Sequence, residues 1–133
     1  MIRSISPVRH ADEYGSGLFG ASRGKRDHNG IDYCVYPGSI ILSPVTGRVT
    51  KLGYPYSSDL SYRYVQITCE RGYNHRFFYV QPQVMPHTAV LKGEPIGISQ
   101  ELGNRYPRIT EHIHYEIKVG NDYIDPDDYW SEE

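Results

Sequence analysis

The chain has 133 residues, of which 14 are lysine or arginine and 16 are aspartate or glutamate, so its formal charge is −2. This length predicts one compact domain over residues 1–133 with a single hydrophobic core. The near-neutral balance excludes the basic footprint of a nucleic-acid-binding protein. No apolar run reaches the roughly 18 residues of a membrane span, and the first 20 residues lack the apolar core of a secretory signal. We therefore expect a protein made in the cytoplasm and not inserted into a membrane.

The composition favours strands over helices, because glycine (13), proline (9) and tyrosine (13) are frequent. Apolar and β-branched runs, separated by turn residues, predict strands at Ser39 to Leu42, Gly47 to Leu52, Tyr62 to Cys69, Tyr73 to Val80, Pro95 to Ser99 and His112 to Val119. One helical turn is expected at Pro126 to Trp130. The pattern predicts an all-β, mainly antiparallel domain, either a sandwich or an open barrel.

Two short motifs contain three of the six histidines in the chain, namely His28-Asn29-Gly30-Ile31-Asp32 and His112-Ile113-His114. Side chains alternate along a strand, so His112 and His114 are expected on one face, about 6.6 Å apart along the backbone. We expect the glycine between His28 and Asp32 to let the backbone turn, so that a nitrogen and an oxygen converge from one short segment. Each motif alone is weak, and the context must carry the interpretation.

Two histidines and one carboxylate form a three-ligand zinc site that leaves a fourth position open for water. Such a metal lowers the pKa of water and polarises a scissile carbonyl group. Because the chain has no H-E-x-x-H helix motif, the site would be built on strands. The residues themselves leave open which of His112 and His114 binds the metal and which stays beside the reacting centre.

Four segments of the chain, including those with the two histidine motifs, resemble segments of a known protein family. The segment GLFGASRGKRDHNGIDYCVYPGSIILSPVTGRVTKLG resembles the entry region of the lysostaphin/LytM-type zinc endopeptidases, with their H-x-G-x-D ligands. GYNHRFFYVQP is similar to the family's G-Y-x-T-x-Y-x-H-L-S strand, and GEPIGIS to its G-x-x-I-G turn. EHIHYEIKVGNDYIDPDDYW resembles its P-H-L-H-F-E strand and closing D-P segment. The match runs in order from about Gly17 to Trp130.

The resemblance implies a sheet domain whose groove holds one zinc ion per chain and cleaves peptide bonds in bacterial peptidoglycan, in stem peptides or cross-bridges. Carried over by position, the metal ligands are His28, Asp32 and His114. His112 takes the place of the family's catalytic imidazole, which is not a ligand. With a reference pKa near 6.5, it can exchange a proton with water at the metal.

One position departs from the family pattern, since Tyr79 stands where the family has the histidine of Y-x-H-L. A phenol is a poor general base at neutral pH but donates a hydrogen bond to an oxyanion. Tyr79 is therefore a candidate catalytic residue, with an aromatic strand residue as the alternative. His75 is expected on the same strand face as Tyr79, about 13 Å away, too far to replace the lost imidazole. His87, in a proline-containing loop, receives no role.

Three functions follow from this pattern. The first is a zinc-dependent peptidoglycan endopeptidase, with activity reduced by Tyr79. The second is a zinc-retaining but catalytically impaired module that binds peptidoglycan or has a structural role in a virion. The third, a metal-free relative that activates partners, is disfavoured by the complete ligand triad. Without a signal segment, a phage lysin or virion component is expected, acting at the cell wall on peptidoglycan peptides. If it is part of a virion tail, other virion proteins are expected partners.

Overall fold

The computed structural model describes residues 17–20, 22–23, 26–27 and 29–131. Within them it has twelve strands and one short helix. In chain order these are β1 (Ser22–Arg23), β2 (Arg26–Asp27), β3 (Ile31–Cys34), β4 (Ile40–Leu42), β5 (Gly47–Gly53), β6 (Tyr64–Cys69), β7 (Asn74–Phe78), β8 (Val80–Pro82), β9 (Ala89–Val90), β10 (Pro95–Ser99), β11 (His112–Val119), β12 (Asp122–Ile124) and α1 (Pro126–Ser131).

The strands form three antiparallel sheets. The largest has the order β12-β11-β7-β6-β5-β9, and β3 adds to it by pairing with β11. A smaller sheet has the order β4-β10-β8, and β1 pairs with β2. This arrangement confirms the predicted all-β class. Along the described part of the chain, no helix is long and apolar enough to cross a membrane.

The core lies against one face of the large sheet. On β11 the residues Ile113, Tyr115 and Ile117 are fully buried, and Phe77 of β7 and Ile67 of β6 pack into the same apolar cluster. Strand alternation sends the residues between them to the opposite face. That opposite face carries the polar side chains of His112, His114 and Glu116 of β11.

Most predicted strands are confirmed, but one of them is divided and several further strands form. The predicted strand Tyr73 to Val80 is two strands, because Tyr79 has a positive φ of 70° that interrupts the extended backbone between β7 and β8. The short strands β1, β2, β9 and β12 were not predicted, and neither was β3. Its first three residues, Ile31, Asp32 and Tyr33, are all buried, so the alternation of exposed and buried residues that marks a half-buried strand is missing.

Candidate metal centre

The pairing of β3 with β11 places Asp32 directly opposite His114. The carboxylate Oδ1 of Asp32 lies 2.9 Å from Nδ1 of His114. Asp32 is 3% exposed, and its amide donates to the carbonyl oxygen of Gly17. Two of the three predicted ligands thus lie within hydrogen-bond distance of each other. The third, His28, lies outside the described residues, and the ligand assignment of all three stays a prediction.

Gly30, between the two predicted ligands of the first motif, is required by close packing. A Cβ atom at this position would lie 2.2 Å from the carbonyl oxygen of Tyr115 and 3.0 Å from Cβ of Glu116. The backbone bends at Gly30, but its φ is not in the positive range that favours glycine, so conformational freedom is not what this position requires. The glycine instead lets the segment before β3 approach the backbone of β11.

Both ring nitrogens of His114 face carboxylates. Nδ1 meets Asp32, and Nε2 lies 2.9 Å from Oε1 of Glu116. Burial by itself lowers the pKa of His114, but the hydrogen bonds and negative charges of Asp32 and Glu116 outweigh it and raise the pKa to about 9. Without a metal, the imidazole is therefore protonated at neutral pH.

His112 has a different arrangement on the same strand face. Its Nδ1 lies 2.6 Å from the carbonyl oxygen of Thr110, which can only accept, so Nδ1 carries the hydrogen. In the neutral ring Nε2 then holds the lone pair, and it lies 3.5 Å from Oδ2 of Asp32. His112 is 4% exposed. In its neutral form, His112 therefore has a proton-accepting nitrogen next to the candidate ligand Asp32.

Tyr79 lies against His112, with the two rings perpendicular and their centroids 5.6 Å apart. Its left-handed backbone is held on both sides, because its amide donates to the carbonyl oxygen of Arg63 and its own carbonyl accepts from the amide of Gln100. Regular alternation would turn Tyr79 to the core face with His75. The prediction that Tyr79 and His75 share a face is therefore wrong, and the break in β-geometry brings the ring to the site.

A cluster of tyrosines that was not predicted surrounds Tyr79. The hydroxyl of Tyr56 lies 3.2 Å from that of Tyr79 and 2.6 Å from that of Tyr106. The guanidinium group of Arg105 lies 4.0 Å from the ring centroid of Tyr56. Burial, together with the neighbouring phenols, raises the pKa of Tyr56, so this phenol stays protonated and acts through hydrogen bonds. These residues are far apart in sequence and belong to no motif, so no local signal identified them.

The other described histidines lie away from this site. His75 is fully buried on the core side, and its Nδ1 lies 2.6 Å from the hydroxyl of Tyr115. Burial, aided by the charge of Arg71, lowers the pKa of His75 to about 4. His87 is exposed in the loop between β8 and β9, and its amide donates to the carbonyl of Val49 on β5, far across the sheet from β11. Neither imidazole is placed to replace a histidine at position 79.

The donor set of the site suits a divalent metal such as zinc. A carboxylate oxygen of Asp32 and Nδ1 of His114 converge, while Nε2 of His114 is engaged by Glu116, which is the usual arrangement of a ligand histidine and its outer partner. Among the residues that the structure describes, no three histidine, cysteine, aspartate or glutamate side chains form a complete metal site. A further ligand, as predicted for His28, is needed to complete it.

Known proteins share this architecture. A solved structure of the catalytic domain of the antimicrobial peptidase lysostaphin from Staphylococcus simulans matches with a TM-score of 0.68 and 18% identity, over 89% of this chain and 90% of that one. A zinc-containing peptidase from Vibrio cholerae matches with a TM-score of 0.62 and 22% identity, over 88% of this chain and 35% of that one. At these identities the matches show the fold, which is that of the lysostaphin-like peptidases.

The sequence comparisons give the family. The model of Peptidase family M23 matches residues 26–126. The leukocyte cell-derived chemotaxin-2 of Mus musculus is 31% identical over 114 residues, which cover 86% of this chain and 75% of that protein. The chain belongs to Peptidase family M23, and the predicted family resemblance is confirmed.

Proposed function

We propose that the protein is a zinc-dependent endopeptidase that hydrolyses peptide bonds of bacterial peptidoglycan, in stem peptides or cross-bridges. The observation that carries this proposal is the position of Asp32 between two imidazoles. One carboxylate oxygen faces Nδ1 of His114 and the other faces Nε2 of His112. This arrangement supports a metal ligand and a general base on one strand face, as the residues of a hydrolase require.

The side chains have separate roles in this proposal. His28, Asp32 and His114 hold one zinc ion, which when bound supplies Lewis acidity toward the scissile carbonyl and makes water a stronger acid. His112 accepts a proton from the attacking water at Nε2, because its Nδ1 is committed to Thr110. The proton then passes from His112 to the leaving amine.

Tyr79 is proposed to assist the reaction as a hydrogen-bond donor. Its phenol lies in the Tyr56 hydrogen-bond cluster beside His112, and it donates a hydrogen bond to the oxygen that gains negative charge. It does not replace a second general base, since a phenol stays protonated at neutral pH. The proposed enzyme is therefore slower than relatives with histidine at this position.

A second function is favoured by the same residue. The Tyr79 hydroxyl is already engaged by Tyr56, and the mouse relative carries the name of a chemotaxin, not of a peptidase. In this alternative the domain keeps zinc but binds peptidoglycan without cleaving it, as a recognition module or a component of a virion. Action at the cell wall is common to both proposals.

One experiment separates them. The zinc content of the purified protein is measured, and the protein is incubated with peptidoglycan from several bacterial types while released peptides are quantified. For the enzyme we expect about one zinc per chain, a loss of about 10²–10⁴-fold in hydrolysis for His112→Ala with zinc retained, and faster hydrolysis for Tyr79→His. His87→Asn, which changes an exposed histidine far from the site, should behave as wild type.

Zinc-loaded wild type and Tyr79→His that both leave every peptidoglycan intact would contradict the endopeptidase. If both also bind the wall material, and binding survives in His112→Ala, the result supports the recognition module. A protein that purifies without zinc and takes up none from solution would contradict both proposals.

A further inference from the structure

A chain of buried polar contacts lies behind His114, on the side away from Asp32. Nε2 of His114 meets Oε1 of Glu116 at 2.9 Å, and Oε2 of Glu116 meets a terminal nitrogen of Arg76 at 3.1 Å. The other terminal nitrogen of Arg76 donates to the hydroxyl of Tyr64 at 3.0 Å. The side chains of Glu116 and Arg76 are only 6% and 15% exposed. Each oxygen of the Glu116 carboxylate thus has its own partner.

The sheet itself sets this contact chain. Strand alternation puts Glu116 two residues beyond His114 on the same face, and the register of β11 with β7 pairs Glu116 directly with Arg76. The guanidinium group of Arg76 also lies 4.8 Å from the ring centroid of Tyr64. Because the hydroxyl and the ring of Tyr64 both contact the guanidinium group of Arg76, the Glu116 carboxylate paired with it has little freedom to turn away from His114.

The two ring nitrogens of His114 thus have different carboxylate partners, Asp32 at Nδ1 and Glu116 at Nε2. An imidazole that donates its Nε2 hydrogen to a carboxylate presents Nδ1 as its ligand atom, and Nδ1 is the atom that faces Asp32. A buried carboxylate also needs a counter-charge, which Arg76 supplies. The contact between Glu116 and His114 connects this carboxylate to the site.

We propose that Glu116 is a positioning residue for the metal ligand His114, and that Arg76 holds Glu116 in place for this role. Glu116 accepts a hydrogen bond from Nε2 of His114. The imidazole then presents Nδ1, together with the Asp32 carboxylate, to one divalent ion. The inference rests on the zinc site of the proposed function, but not on any peptidase activity.

The first test is the zinc affinity, measured by competition with a chromophoric chelator. Glu116→Ala should weaken zinc binding by about 10–100-fold, as loss of an outer partner does in other metal sites. Glu116→Gln should recover part of this loss, because its amide oxygen still accepts the Nε2 hydrogen. Arg76→Gln should weaken binding less than Glu116→Ala, since it acts one contact further away.

The matched control is Asp59→Ala, which breaks an ion pair with Arg105 at the same 3.1 Å distance but without a contact to His114. It should leave zinc affinity unchanged. If Glu116→Ala and Arg76→Gln lower only the free energy of unfolding and bind zinc like wild type, the two residues are structural and the proposal is wrong. A wild-type protein that binds no zinc would instead contradict the zinc site itself, and with it this inference.

A second measurement needs no variant and guards against misfolding. In zinc-loaded wild type with ¹⁵N-labelled histidine, Nε2 of His114 should carry a directly bonded hydrogen, and Nδ1 should show the shift of a metal-bound nitrogen. Metal coordination at Nε2, with the hydrogen on Nδ1, would overturn the proposal even if the affinities behave as expected.

Discussion

Asp32 and His114 are direct neighbours across the β3–β11 ladder, with Oδ1 of the carboxylate 2.9 Å from Nδ1 of the imidazole, although 81 residues separate them along the chain. The second carboxylate oxygen faces Nε2 of His112. The buried carboxylate of Asp32 therefore contacts both imidazoles, which lie on the same face of β11 because side chains alternate along a strand. This relationship supports the proposed metal site.

Removing either neighbour should abolish tight zinc binding. Asp32→Asn weakens the oxygen ligand by removing its charge, and His114→Gln replaces an imidazole with a neutral amide. We expect both variants to purify with little zinc, whereas the exposed His87→Asn keeps the wild-type amount. Atomic absorption on dialysed protein measures this directly. Wild-type zinc content in Asp32→Asn would show that the metal lies elsewhere.

Gly30→Ala should destabilise the fold next to the site. The new methyl group would overlap the carbonyl oxygen of Tyr115, which is fixed in β11 and unable to move aside. We expect a loss of about 1–3 kcal/mol in the free energy of unfolding, together with weaker zinc binding, because β3 must shift away from β11. Urea unfolding measures the loss. The control is Gly103→Ala, where a methyl group would meet only a side-chain oxygen of Glu111 at 3.2 Å.

The hydroxyl of Tyr56 should couple energetically to that of Tyr79. Tyr56→Phe removes the group that both Tyr79 and Tyr106 contact, and we expect a loss of about 1 kcal/mol in the free energy of unfolding. A double-mutant cycle with Tyr79→Phe isolates the Tyr56–Tyr79 term. Tyr36→Phe, at a side chain that is 87% exposed, should have no effect. Strictly additive single and double variants would show that the two phenols do not interact in solution.

Buried His75 should make stability depend on pH. Its pKa is lowered to about 4 in the folded protein, against a reference of 6.5 in the unfolded chain. The unfolded state therefore binds a proton first, so stability is full above pH 6.5 and is lost as the pH falls toward 4. By pH 5 the loss from this residue amounts to about 2 kcal/mol.

The measurement for His75 compares the free energies of unfolding at pH 7 and pH 5 in wild type and His75→Gln. The variant is less stable at pH 7, since its neighbour Tyr115 loses an aromatic stacking partner, but the difference between the two pH values should shrink by the amount given above. An unchanged pH difference would show that another group is responsible for the acid sensitivity.

Several elements were predictable because their signals are local. The strands at Pro95–Ser99 and His112–Val119 have the predicted bounds, and the terminal helical turn forms at Pro126–Ser131. Their alternation and turn residues lie within a few residues of each other. Strand β3 escaped prediction because it is buried on both faces, which only its neighbours in space decide.

The candidate site divides in the same way. Strand alternation predicts that His112 and His114 share a face, and the contacts of both with Asp32 agree with this expectation. The position of Tyr79 was not predictable, because its left-handed backbone depends on hydrogen bonds with Arg63 and Gln100 from other parts of the chain. Likewise, Gly30 is needed for its closeness to Tyr115, a contact that no local pattern reveals.

The sequence by itself therefore determined the all-β class, the family resemblance and the residue types of the proposed metal site, because periodicity and motif spacing are properties of neighbouring residues. Only the tertiary structure decided that Arg76 and Glu116 stand behind His114, and that a tyrosine cluster holds Tyr79. These arrangements depend on sheet register and on one interrupted strand. Register is set by which faces can be buried together, and that is a property of the whole chain.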